Sequence, residues 1–153
     1  MASLFPRFWI SWLIQKSKPM EKYRLLYWLA AALSLAGLVA HEALGAPMVL
    51  PPLLATDLPE NVIWLHHFSW HVGSIAVAAM IIMFVHAALK PGNVAMALIA
   101  TAMSTGFAAL GIGLAVYASD VMWATPAPYA WSVIAVVGGL GACMELNSSK
   151  LST

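Results

Sequence analysis

Four apolar stretches, near residues 24–45, 61–88, 93–118 and 128–146, alternate with short gaps rich in proline and polar residues. Each comes close to or exceeds the roughly 20 residues that cross a bilayer as a helix. The gaps read "APMVLPPLLATDLPEN", "KPGN" and "SDVMWATPAP". Inside lipid the backbone must satisfy its own hydrogen bonds, so spanning runs are helices or closed barrels. A barrel needs alternating polarity, which these runs lack. The pattern predicts an all-α integral membrane four-helix bundle, a single membrane domain over residues 1–153.

Small residues recur along the spans. Ala30, Ser34, Gly37, His41 and Gly45 share one stripe of the first span. Ala97, Thr101, Ser104, Ala108, Gly111 and Ala115 do so on the third, and Ala135, Gly138, Gly139 and Ala142 mark the fourth. Lipid supplies no hydrophobic drive between helices, so close approach through small side chains holds them together. Such faces also suit docking against other membrane subunits. Ahead of the first span, Phe5, Phe8, Trp9, Trp12 and Leu13 fall on one helical face beside Arg7, Lys16 and Lys18. That predicts an amphipathic helix over residues 1–19 lying in the membrane interface.

Composition agrees with the lipid setting. The chain is 62% hydrophobic and 8% charged, against about 25% charged in a soluble domain. A net charge of +1 suggests no nucleic-acid partner. One cysteine, Cys143, excludes an internal disulfide and any CxxC redox or zinc pattern. The start "MASLFPRFWISWLIQKSKP" has neither a leading basic region nor a small-residue cleavage site, so no cleaved signal peptide is expected. Arg7, Lys16, Lys18, Lys22, Arg24, Lys90 and Lys150 all fall on one side of the predicted topology. Asp57, Glu60 and Asp120 fall on the other. The bias of basic residues toward the cytoplasm then places both termini there.

The chemistry concentrates in "WLHHFSWHVGS", residues 64–74. His67 and His71 stand one turn apart on a face shared with Trp64, Ser74 and Ala78. His66 and Trp70 lie on an adjacent stripe with Gly73. The first span brings His41 and Glu42 to the same side of the membrane. By helical rise His41 lies about 6 Å below the boundary, His67 about 9 Å and His71 about 15 Å. Ionisable groups at such depths are expensive and are functional candidates.

Three uses compete for this cluster. The histidines can each satisfy one interhelical hydrogen bond, with His66, Trp64 and Trp70 forming an interfacial belt. His41, His67 and His71, helped by Glu42 or His66, can ligate a transition metal such as Cu, Zn or Fe. His41 with His67 or His71 can supply axial ligands to one haem; a two-haem carrier is not supported, because only His86 lies in the other half. Asp57 and Glu60 in "TDLPEN" predict a capping box for the second span, with Pro59 in its first turn. No GxSxG, phosphate-binding loop or dinucleotide fingerprint is present.

The runs "LVAHEALGAPMVLPPLL" and "WLHHFSWHVGS" resemble a pattern in small bacterial four-helix membrane proteins that carry no assigned activity. The resemblance covers about residues 35 to 75 and implies a bacterial inner-membrane location with four helices. The expected function is that of a non-catalytic binding or accessory subunit with a periplasmic-side histidine cluster. The alternative is a haem- or metal-dependent membrane enzyme or redox protein using the same histidines.

Overall fold

The computed structural model describes residues 21–150, and within them every regular element is helical. Four helices are long and apolar enough to cross a membrane: α1 (Lys22–Leu54), α2 (Glu60–Leu89), α3 (Val94–Tyr117) and α4 (Ala127–Lys150). Each packs against the next in the chain, and α4 closes back on α1, giving an antiparallel bundle. The four-helix bundle predicted from the sequence is therefore the fold. The N-terminal amphipathic helix predicted over residues 1–19 lies outside the described residues. The start of α1 and the end of α4 meet at one end of the bundle, here the terminal end. The other end carries the α1–α2 connection and the short 3₁₀ helix Asp120–Ala124.

The first helix departs from its predicted boundary. It continues past residue 45 to Leu54, through sequence expected to form a loop. A π-helical turn at His41–Gly45 interrupts it, with the Ala46 amide bonded to the carbonyl of His41. Pro47 follows directly. A proline ring inside an α-helix collides with the carbonyl four residues back. Widening the turn that holds Ala43 relieves that collision, so the helix continues. Pro51 and Pro52 then withdraw two donors in succession, and the helix ends at Leu54. Its last carbonyls are taken by tight bonds from Ala55 to Pro52 (3.1 Å) and from Thr56 to Leu53 (3.3 Å).

The start of α2 also differs from expectation. Pro59 itself occupies the cap position in an extended conformation, and no side chain caps the helix. The predicted Asp57–Glu60 capping box is not formed. With the cap at Pro59, Glu60 is the first helical residue and not the third, out of place for a capping box, and it instead accepts from the indole of Trp64 at 3.3 Å. At the terminal end, the α2–α3 turn depends on Gly92, whose φ of +88° suits glycine and few other residues.

The tightest packing lies in the terminal half. Tyr23, Tyr27, Ala30 and Ala31 of α1 meet Met80, Phe84, Ala87 and Ala88 of α2, with Ala97, Ala100 and Ile134 completing the cluster. Two glycines of α4 permit the approach. A Cβ on Gly138 would lie 2.7 Å from Thr101 Oγ1 and 2.8 Å from the Phe84 ring; one on Gly141 would lie 2.7 Å from Tyr27 Cε1. Buried Ser34 and Ser104 bond back to the carbonyls of Ala30 and Ala100, so their hydroxyls need no partner on another helix. The small-residue stripe of α3 is buried as predicted at Ala97, Ser104, Ala108, Gly111 and Ala115. On α1 the stripe is interrupted at Gly37 and serves close approach again at Gly45, where a Cβ would stand 3.1 Å from the Trp70 ring. Gly37 has nothing within 4 Å of where its Cβ would be.

Candidate functional site

His41 and Glu42 open the π-turn of α1 and face the middle of the polar stretch of α2. Antiparallel packing puts His41 opposite Trp70. The two rings are stacked, with centroids 4.0 Å apart and planes 10° from parallel. His41 Nε2 also lies 3.4 Å from the Trp70 carbonyl oxygen. That oxygen only accepts, so the contact is a hydrogen bond in the tautomer that carries its proton on Nε2. The seat for the indole is Gly45, one turn beyond His41, where a Cβ would stand 3.1 Å from Trp70 Cζ2. A Cβ at position 45 would require the indole to give by a few tenths of an ångström.

Glu42 holds a second set of contacts. Its Oε1 accepts from the Ser74 hydroxyl and lies 3.4 Å from His71 Nδ1. Two turns of α2 are thereby joined to the π-turn of α1. The His71 side chain is 55% exposed and that of Glu42 37%, so this pair sits on the flank of the helix contact. At such exposure an ion pair adds little stability, and the hydroxyl–carboxylate bond is the stronger tie.

His67 goes elsewhere. Its ring lies 5.1 Å from that of Trp64, on its own helix, and its buried Nε2 has no hydrogen-bond partner among the described residues. The Trp70 indole nitrogen is likewise buried and unpartnered. His66 is exposed. The five residues nominated from sequence are thus divided. His71 meets Glu42, His41 meets Trp70, and His67 and His66 join neither pair. Among the described residues no three His, Cys, Asp or Glu side chains come together as a group able to hold a metal.

Beside the polar contacts lies a cavity of about 200 Å³. All four helices line it: Gly37 and His41 from α1, Gly73 and Val77 from α2, Phe107 from α3 and Trp131 from α4. Like Gly37, Gly73 has nothing within 4 Å of where its Cβ would be. The rings of Phe107 and Trp131 lie 5.1 Å apart and form an aromatic wall. His41 is the ionisable residue of this lining.

Sequence reasoning placed Trp70 on an interfacial stripe and so missed its part in the site. The signal was the Gly45 and His41 pair, four apart, which opens a flat patch on α1 for one large ring. The cavity gave no signal, since Phe107, Trp131 and two glycines on four helices become neighbours only on folding. In comparisons with known proteins, no family model, no curated protein and no solved structure matches this chain.

Proposed function

We propose that the chain is a non-catalytic multi-pass protein of the bacterial inner membrane, a binding or accessory subunit. Both termini lie in the cytoplasm, and the polar layer around His41 lies at the periplasmic side. The observation that carries this reading is how the polar groups are engaged. Glu42 is spent on Ser74 and His71, and His41 is stacked on Trp70, with no convergence on a shared centre. Catalysis by such groups needs a nucleophile, base or metal held toward a common point. A helix contact that closes on itself beside a small cavity suits recognition instead.

The orientation rests on the seven basic residues, all on the terminal side of the four-span topology. Outward faces rich in exposed leucine, valine and isoleucine suit contact with lipid or with helices of other subunits. The competing reading, a haem- or metal-dependent protein using the same histidines, draws on the unpartnered Nε2 of His67.

The deciding experiment is cofactor analysis of the protein purified from membranes. Absence of a Soret band, with Zn, Cu and Fe all far below one per chain, supports the proposal. Stoichiometric haem or metal that disappears in the His67→Ala or His41→Ala variant overturns it.

A further inference from the structure

We propose that the cavity between the four helices is a binding site for a small neutral ring bearing a hydroxyl donor, of the phenol or quinol type. The inference rests on the reading of the chain as a binding subunit and names the ligand class of that site. Size sets the first limit. A buried apolar cavity of about 150 Å³ stays dry and takes up benzene. The cavity here, at about 200 Å³ and partly open to the surface, has room for such a ring and one polar substituent, with a way in from the surface.

Shape sets the second. Gly37 and Gly73 present bare backbone from two adjacent helices, with nothing where either Cβ would be. Across from them stand Phe107 and Trp131. A flat backbone wall facing aromatic rings fits a planar guest. Water is a poor occupant, because it needs two to four polar partners and the lining is almost wholly apolar.

Hydrogen bonding sets the third. In the tautomer that donates from His41 Nε2 to the Trp70 carbonyl, Nδ1 keeps a lone pair. Nδ1 makes no hydrogen bond to the described residues. An O–H on the guest supplies the missing donor, whereas a purely accepting group does not. The level of the site agrees. His41 and Gly73 lie toward the loop end of the bundle, and Gly37 and Val77 lie one turn deeper. A lipid-soluble ring would hold its hydroxyl toward the boundary and its body in the apolar layer.

The test uses ¹⁹F NMR on the full chain in dodecyl maltoside micelles, with 4-fluorophenol and fluorobenzene as probes and empty micelles as the reference for partitioning. The wild-type chain should bind both saturably, 4-fluorophenol about fivefold more tightly, the worth of one neutral hydrogen bond. His41→Phe, which keeps a ring to stack on Trp70, should bind both probes equally. Gly73→Leu should fill the cavity and bind neither; Gly37→Leu does the same from α1 should that variant fail to fold. No saturable binding to the wild type, or binding retained in a folded cavity-filled variant, overturns the site. A phenol preference that is absent in the wild type or survives His41→Phe overturns the role of His41. Loss of the site without haem or metal in the protein leaves the non-catalytic reading standing, while finding either cofactor removes that reading first.

Discussion

At the terminal end of the bundle, Tyr27, Met80 and Phe84 are fully buried, and two glycines of α4 leave no room for a single added carbon. Toward the other end, Gly37 and Gly73 face open space, and a partly open cavity stands between the helices in place of side chains. Both ends also carry polar ties, and these differ in the same direction. At the terminal end, buried Glu145 accepts from Tyr27 Oη and from the Gly92 amide, each at 2.7 Å, so one carboxylate joins α4 to α1 and to the α2–α3 turn. Arg24 Nε adds a bond of 2.7 Å to the carbonyl of Ala88. At the histidine end the ties join α1 to α2 only, and they are longer or more exposed. By helical rise the Arg24–Ala88 and His41–Trp70 contacts lie about 26 Å apart, close to the roughly 30 Å of a hydrocarbon core. The two polar layers are thus spaced by nearly the thickness of such a core. One end is a closed clamp, and the other keeps space for a guest.

The widest separation between the two ends should come from truncating one phenylalanine in each. Phe84→Ala should cost about 3–5 kcal/mol, because its neighbours are fixed on every side and leave a cavity behind. Phe107→Ala, which only enlarges an existing cavity, should cost clearly less. Thermal unfolding of both variants in the same detergent checks the difference; equal losses would mean that the ends are equally packed. Next in size is Glu145→Ala, which leaves the buried Tyr27 hydroxyl and the Gly92 amide without their acceptor. Each orphaned group should cost about 1–3 kcal/mol. The same melting assay should show a drop that Tyr27→Phe reproduces only in part.

Glycine substitutions sharpen the comparison. Gly138→Ala and Gly141→Ala should each cost about 1–3 kcal/mol through forced repacking. Gly37→Ala and Gly73→Ala should be neutral or slightly stabilising, since alanine favours the helix and meets nothing. The smallest effect belongs to His71→Ala. Its side chain is more than half exposed and its partner Glu42 keeps Ser74, so the loss should stay below about 1 kcal/mol in equilibrium unfolding.

Much of the architecture was legible in the sequence. Hydropathy and span length located all four helices, and small-residue spacing found the buried face of α3 because that stripe is unbroken over six positions. The limit of α1 was misjudged because three prolines usually end a helix, while a π-turn ahead of Pro47 lets this one pass. The capping box failed for a local reason: the helix starts at Glu60 with Pro59 as its cap, so Asp57 and Glu60 do not stand at the cap and third positions that the motif needs. At the site, His41, Glu42 and His71 were singled out as ionisable groups within the spans, and the structure places Glu42 against His71 and His41 against Trp70. His67 was expected beside them from its spacing of four with His71. Its ring instead turns toward Trp64, a choice of rotamer that spacing does not encode.

The contrast between a clamped end and an open end is tested most directly by amide hydrogen–deuterium exchange of the chain in lipid nanodiscs. Tyr27–Ala31 and Ser34–Leu38 lie at matching distances from the midpoint between the two polar layers, so with those layers at the bilayer boundaries their exposure to water through the membrane is alike. The account predicts that Ser34–Leu38, which borders the cavity, exchanges faster than Tyr27–Ala31. Equal protection, or faster exchange in the segment around Tyr27, would contradict it.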